Sequence, residues 1–215
     1  RSLRLMEFMS RQLGEKEKAH QYQEEFRKVK TSIMEKLYNA DEGYFRAKEG
    51  EDRVDTVASI FGALYLLDAE EAVKVEEVLK RRVTRPSGLQ NFDPPYPKEE
   101  IFGGHRFMGR LAKIKGFLTG KKEHGMDEYH NRFIWPWVTL ENIQVKIKIA
   151  LQHRDETTRL QYKREAIEDL ARVSELFKTI GGACEVVDPN KPEPARIAFY
   201  TPPKNLMGSM AAYQG

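Results

Sequence analysis

Hydrophobic residues in this chain recur mainly at helical spacing. Apolar side chains that lie three and four residues apart fall on one face of an α-helix. This spacing marks four long segments, over 15–38, 54–67, 69–83 and 155–180. The pattern therefore predicts a chain that is mostly α-helical.

Residues with strong capping preferences mark the ends of two of these segments. Asp68 and Glu71 have the spacing of a capping box, in which each side chain accepts a backbone N–H of the other residue. Gly181 and Gly182 follow the last segment, and glycine commonly ends a helix. We expect one helix to begin after Asp68 and another to end at Gly181.

The segment over 136–151 fits two structures. Ile143, Val145, Ile147 and Ile149 alternate with polar residues, as in a half-buried strand. The same stretch also has an apolar face at helical spacing. We predict a helix, because the pattern is long and Pro136 is tolerated in a first helical turn.

Short and long connections alternate between the predicted helices. The short ones contain Gly14, Asp68 and His153, whereas the long ones span 39–53, 84–133 and 181–203. In a stack of antiparallel helical hairpins, every second connection lies at the same end. We therefore expect the three long loops to share one face, where binding and chemistry usually lie.

Composition narrows the class of protein. The 215 residues are 40% hydrophobic and 32% charged, with a formal net charge of +3. These values fit a globular protein, and the interleaved charges form no basic stripe for nucleic acid. No apolar run is long enough for a membrane span. Cys184 is the only cysteine, which favours a reducing, cytoplasmic location and excludes an intrachain disulfide.

The run from Tyr129 to Trp137 has the most distinctive residue content. It places His130, Asn131, Trp135 and Trp137 within nine residues. Flat indole rings beside amide and imidazole groups suit a sugar ring, which can stack and form hydrogen bonds there. The alternative is a helix start with two core tryptophans, and it stays open at this stage.

The long loops also carry acids and amides. Glu185 follows the Gly181-Gly182 break and is our candidate for a catalytic carboxyl, since glycoside hydrolysis uses two carboxyl groups. Asp55, Asn91 and Asp93 are candidate ligands of sugar hydroxyls, although Asp55 also suits a helix N-cap. We find no metal-ligand spacing and no phosphate loop, so we predict neither a metal nor a cofactor.

Three segments, in order, resemble motifs of a known family. RPSGLQNFDP at 85–94 is similar to P-x-G-L-R-T-L-x-P, YHNRFIWPW at 129–137 to Y-H-[QN]-G-x-[VS]-W-P-W, and ACEVVD at 183–188 to S-E-x-x-D. These motifs belong to six-hairpin (α/α)6 toroid glycosidases. The chain looks most like the glucosidase domain of glycogen debranching enzymes, with amylo-alpha-1,6-glucosidase activity, and next like the neutral invertase group.

The resemblance implies an inverting glycoside hydrolase that acts on an α-glucan or oligosaccharide, with Glu185 as the general base. It also implies that the general acid lies in an earlier hairpin, before Arg1. Residues 1–215 would then be one partial domain, the C-terminal part of the toroid with about three and a half hairpins. Its partners would be a carbohydrate and the N-terminal portion of the same chain, without which we expect no activity.

The sequence departs from the family pattern at two places. Arg132 and Phe133 stand where small residues usually follow the histidine pair, and we expect their bulk to narrow the sugar subsite. The segment 205–209 lacks the usual aromatic residue before Ser209. Both departures bear on the substrate, and the second is compatible with a non-catalytic member of the family.

Three hypotheses follow, and the arrangement of the loops separates them. An α-glucan hydrolase requires Glu185, Trp135, His130, Asn91 and Asp55 to converge on one cavity. Another sugar-active enzyme on the same toroid, such as an invertase-like hydrolase, a phosphorylase or an epimerase, would share that convergence. A non-catalytic helical-hairpin scaffold would show a curved array without an acidic pocket.

Overall fold

The computed structural model describes residues 2–97, 99–101, 103–120 and 124–203. Within these residues the chain forms seven α-helices and three two-stranded sheets, so the predicted all-α class is confirmed. The helices are α1 (Ser2–Gln12), α2 (Lys16–Leu37), α3 (Thr56–Tyr65), α4 (Ala69–Arg82), α5 (Gly103–Thr119), α6 (Pro136–Gln152) and α7 (Glu156–Ile180). The strands are β1 (Tyr38–Asn39), β2 (Tyr44–Phe45), β3 (Val54–Asp55), β4 (Thr84–Arg85), β5 (Gly88–Leu89) and β6 (Phe92–Asp93).

Six of the helices form three hairpins. Helix α1 packs on α2, α3 on α4, and α6 on α7, and each pair is joined by three residues. The short connections are therefore those that the sequence predicted. In the part of the chain that the structure describes, no helix is both long and apolar enough to span a membrane.

The predicted helix ends are confirmed by their hydrogen bonds. Asp68 accepts the backbone N–H of Glu71 at 2.8 Å, and Glu71 accepts the N–H of Asp68 at 3.4 Å, which completes the capping box. Gly181 ends α7 with a left-handed φ of 78°, a conformation that glycine adopts without steric cost. Helix α6 begins at Pro136, so the helical interpretation of 136–151 is confirmed.

The largest core cluster is built around α3, α4 and α6. Val75, Leu79 and Val145 are fully or almost fully buried there. The ring of Phe45, from the first long loop, lies directly against Gly62 of α3, where an added Cβ would come within 2.2 Å of the ring. The first long loop therefore contributes a side chain to the helical core and does not only cover its surface.

Backbone hydrogen bonds join the three long loops at one face. Strands β3 and β6 pair the first loop with the second, and Thr56 donates its N–H to Asn91 O at 2.9 Å. Ile134 and Val187 pair the second loop with the third through two bonds of 2.9 and 3.1 Å. The prediction that the long loops share one face is confirmed. We call this loop face the rim.

The second long connection was expected to be a loop, and that is wrong for Gly103–Thr119, which form α5. The sequence obscured this helix because glycine is a poor helix former and four glycines lie within it. Its contacts are also few, since only Gly109 and Ala112 are buried. Helix α5 forms a wall beside the rim, and the hairpin pattern did not predict this helix.

Candidate active site

Glu185 lies on the rim, in the third long loop, and the backbone around it is held on both sides. Its own N–H donates to Pro203 O at 3.1 Å, and the neighbouring Val187 pairs with Ile134. The Tyr200 hydroxyl donates to Glu185 Oε2 at 2.6 Å, which lies at the short end of the range for O–H···O hydrogen bonds. The Glu185 side chain remains partly exposed, so water can reach it.

A second tyrosine completes the surroundings of this carboxyl group. Tyr129 is 7% exposed, and its ring packs edge-on against Tyr200 with 5.7 Å between the centroids. Burial, followed by hydrogen bonding with Glu185 and Tyr200, raises the pKa of Tyr129 far above its usual range. Burial and Glu185 also raise the pKa of Tyr200. Both phenols therefore stay protonated near neutral pH and serve as neutral donors.

An aromatic pair stands beside the tyrosines. The rings of His130 and Trp135 are stacked, 5.2 Å apart and 8° from parallel, and Tyr129 meets Trp135 edge-on at 4.9 Å. Burial against this stack and repulsion from His105 lower the pKa of His130, while Glu185 opposes the shift. Despite these contacts, His130 remains exposed to water. The structure thus brings Glu185, His130 and Trp135 into one cluster around Tyr129.

Asn131 faces a different direction from the Glu185 cluster. Its side chain accepts the N–H of Tyr96 at 2.9 Å and donates to Tyr96 O at 3.1 Å, so the amide fixes the second long loop. Asn131 lines two adjoining cavities of about 470 and 440 Å³, the smaller of which is also lined by His130, Phe92 and His105. The Asn131 amide is engaged mainly in hydrogen bonds with the Tyr96 backbone, and both cavities open beside it.

Asp55, Asn91 and Asp93 form a second group at the seam between the first two loops. Asp55 caps α3 by accepting the N–H of Ala58 at 2.9 Å, and burial raises its pKa. Asp93 accepts a hydrogen bond from Arg82 Nε at 2.7 Å. Asn91 is 6% exposed, and its Oδ1 has no hydrogen-bond partner among the described residues. This group is held mainly by contacts within the protein. The two cavities beside Asn131 are not lined by Asp55, Asn91 or Glu185, so the required convergence on one cavity is not met there.

The remaining residues of the tryptophan run serve the interior. Trp137 is half-buried and packs against the main core, which favours the core alternative for this residue. Phe133 is 0% exposed and packs with Tyr129, Val186 and Ile197, so the expectation that its bulk narrows a sugar subsite is wrong. Arg132 does line the larger cavity. The departure at 205–209 lies outside the described residues.

Comparison with known proteins decides the family. The sequence profile described as amylo-alpha-1,6-glucosidase matches residues 1–198. The chain belongs to the amylo-alpha-1,6-glucosidase family. No curated protein sequence matches it. This domain is therefore related to the glucosidases of glycogen debranching, a glycoside hydrolase class.

Solved structures add support for the fold alone. A sialidase chain superposes with a TM-score of 0.58 and 14% sequence identity. The match covers 88% of this chain and 16% of the sialidase chain. At this identity the likeness shows a shared helical architecture, and the chain spans only a small share of that protein.

The sequence-based prediction of the site in this amylo-alpha-1,6-glucosidase family member did not include two residues of the cluster. Tyr129 and Tyr200 were visible in the loops, but no motif assigned them a role. The contact of Tyr200 with Glu185 depends on the turn in which Tyr200 N–H donates to Ile197 O at 3.1 Å. For Tyr200, the only signal in the sequence was that a tyrosine follows the loop carboxylate Glu185 at a short distance along the chain.

Proposed function

We propose that this chain supplies the general base of an inverting glycoside hydrolase that removes α-1,6-linked glucose from an α-glucan. Membership of the amylo-alpha-1,6-glucosidase family supports the reaction and the substrate class. The single observation that favours Glu185 as the base is its contact with the hydroxyl of Tyr200 at 2.6 Å. That contact orients one carboxylate oxygen and leaves the other able to approach water.

The chemistry follows from this arrangement. In an inverting hydrolysis, a carboxylate takes a proton from water while the water attacks the anomeric carbon from the face opposite the leaving group. The donor hydroxyls of Tyr200 and Tyr129 hold the Glu185 side chain in place. The proton passes from the water to Glu185, the new C–O bond forms as the glycosidic bond breaks, and the leaving oxygen takes a proton from a general acid.

His130 and Trp135 are the sugar-contacting residues in this proposal. Their stacked rings form an apolar surface beside Glu185, and the imidazole of the exposed His130 can form a hydrogen bond with a sugar hydroxyl group. Asn131 would act indirectly, by holding Tyr96 and the wall of the adjoining cavities. Asp55, Asn91, Asp93 and Trp137 have their main contacts within the protein, so we give them supporting roles.

An inverting glycosidase also needs a general acid, about 6.5–9.5 Å from the base. We propose that a carboxyl group in another hairpin of the family's toroid serves as this acid. We therefore expect the chain to be active only together with that carboxyl group, and we place the assays in the protein that carries both.

The test is Glu185→Gln, with glucose release from a branched limit dextrin as the measurement. The amide still accepts the Tyr200 hydrogen bond but cannot take a proton, so kcat should fall about 10²–10⁴-fold while the fold is kept. Proton NMR should show β-glucose as the first product of the unaltered protein, because inversion changes the anomer.

Glu193→Gln is the matched control, since Glu193 lies in the same loop and faces Arg196 at 3.8 Å. It should keep full activity. Activity of Glu185→Gln within a few-fold of the unaltered protein would exclude Glu185 as the base. Release of α-glucose first would exclude inversion and leave the glucosidase assignment standing.

A further inference from the structure

A cavity of about 220 Å³ lies between helices α4, α6 and α7, and it shares no lining residue with the Glu185 cluster. Charged and polar side chains form most of its wall. They include four carboxylates and three basic groups: Glu76, Glu165, Glu168, Asp169, Lys80, Lys146 and Arg172. Such a concentration of charge inside a helical layer is costly unless every group finds a partner.

The basic groups of the cavity are already held mainly by two acids of its wall, Glu165 and Asp169. Lys146 Nζ lies 2.7 Å from Asp169 Oδ2 and 3.4 Å from Glu165 Oε2. Lys80 Nζ lies 2.9 Å from Glu165 Oε1, and Arg172 Nη2 lies 2.5 Å from Asp169 Oδ1. The positive charge in this region is therefore directed mainly at Glu165 and Asp169.

Glu76 receives much less compensation. It is 0% exposed, and its Oε2 lies 3.7 Å from Lys146 Nζ and accepts Asn142 Nδ2 at 3.3 Å, both long contacts. Among the described residues, its Oε1 has no hydrogen-bond partner, and neither does Oδ1 of Asn142, a residue that is 4% exposed. Two buried oxygen acceptors thus line one cavity without a donor, and leaving such groups unpaired is unfavourable.

The charge count indicates what would satisfy them. Four carboxylates against three basic groups leave the wall with one negative charge, and Glu76 has the longest contact of the three acids that pair with Lys146. One monovalent cation would balance that charge, whereas a divalent cation would overshoot and meet stronger repulsion from Lys146. Carboxylate and amide oxygens are the hard ligands that such cations prefer. Since a water occupies about 30 Å³, the cavity has room for a cation and several waters.

We propose that this cavity binds one monovalent metal cation, K⁺ or Na⁺, through Glu76 Oε1 and Asn142 Oδ1, with water completing the coordination. The ion joins α4, which carries Glu76, to α6, which carries Asn142. It therefore stabilises the packing of two hairpins at a place remote from the Glu185 cluster. The site depends on the fold of these helices and not on the proposed hydrolysis.

The direct test is a crystal of the protein grown in potassium salt and soaked in thallium(I) salt, which replaces K⁺ and scatters anomalously. We expect an anomalous peak in contact with Glu76 Oε1 and Asn142 Oδ1. A map without a peak in this cavity would overturn the proposal, even if peaks occur elsewhere. Because this experiment uses the unaltered protein, it does not depend on how well any variant folds.

Thermal unfolding at pH 8 gives a second test in solution. The midpoint should be about 2–4 °C higher in KCl or NaCl than in choline chloride of equal ionic strength, because a ligand that binds only the folded state stabilises it. The larger of the two increments identifies the preferred ion. Equal midpoints in all three salts would contradict the proposal.

The matched pair of variants is Glu76→Gln and Glu175→Gln. Each removes one negative charge, but Glu175 lies on the surface of α7, with its side chain 72% exposed. Glu76→Gln should lose the difference between KCl and choline chloride, and Glu175→Gln should keep it. A difference that persists unchanged in Glu76→Gln would place the ion elsewhere and overturn the assignment.

Discussion

The two central carboxylates of this domain, Glu185 on the rim and Glu76 between helices α4 and α6, are stabilised in opposite ways. Glu185 is partly exposed and is held by a neutral hydroxyl at 2.6 Å. Glu76 is fully buried and faces an ammonium group at 3.7 Å, and burial, opposed by Lys146 and Asn142, raises its pKa to about 7. The first arrangement keeps a carboxyl group open to bulk solvent, whereas the second removes it from bulk solvent.

This difference shows what a catalytic base requires. A base must exchange a proton during turnover, so a permanent close cation would hold its charge too tightly. Neutral phenol donors orient the carboxylate without adding a fixed positive charge. The Glu76 region instead contains Lys146, Glu165 and Asp169, where each ionic group depends on its neighbours for stability. Substitutions should therefore change stability in the Glu76 region and activity at the rim.

The largest effect on stability is expected from Lys146→Met. Removing this ammonium leaves the carboxylates of Glu76, Glu165 and Asp169 facing one another in a buried place. Breaking a buried ion pair from one side typically costs 3–5 kcal/mol, so we expect a loss of about that size. Urea unfolding followed by circular dichroism would measure it.

Lys178→Met is the matched control for that substitution, because Lys178 is 76% exposed and pairs only loosely with Glu175 at 3.8 Å. Its effect should stay within about 0.5 kcal/mol. A loss below about 1 kcal/mol for Lys146→Met would show that the buried ions are screened like surface charges. The contrast between the two regions would then disappear.

A smaller effect, on activity, is expected from Tyr200→Phe. This change removes the donor to Glu185 Oε2 but keeps the ring that packs on Tyr129. Hydrogen bonds to charged groups contribute about 1.5–3 kcal/mol, so kcat should fall roughly 10–100-fold. Tyr200 is a positioning residue in this interpretation, and KM for the glucan should stay nearly constant.

Tyr22→Phe in α2 removes a hydroxyl far along the chain from the rim and should leave kcat unchanged. If Tyr200→Phe raised KM and left kcat intact, Tyr200 would be a sugar ligand and not a positioner of Glu185. If the free energy of unfolding of Tyr200→Phe lies within about 1 kcal/mol of that of the unaltered protein, its loss of kcat arises at the rim and not from unfolding.

The comparison also explains which parts were predictable from sequence. Helical spacing and the caps at Asp68 and Gly181 are local, so the hairpins and their order were predicted correctly. The alternation of short and long links predicted the rim. The contact of Tyr200 with Glu185 depends on how separate loop segments pair, and the burial of Glu76 depends on how α4 meets α6. Neither arrangement leaves a periodic signal, and the charges of α4 and α7 resemble ordinary solvated faces.

The smallest effect concerns His130 and the pH dependence of stability. Burial and His105 lower its pKa below the ordinary value of 6.5, with Glu185 opposing them. As pH falls through 6.5, the unfolded chain takes up a proton before the folded one, so folding free energy is lost between 6.5 and the lower folded pKa. His130→Gln should therefore lose less stability between pH 7.5 and pH 5 than the unaltered protein. Because His130 is exposed, we expect a difference below about 1 kcal/mol. The control is His20→Gln, a substitution at an exposed position of α2, which should lose as much stability over this pH range as the unaltered protein. If the free energy of unfolding had the same pH dependence in all three proteins, the stack on Trp135 would not desolvate His130.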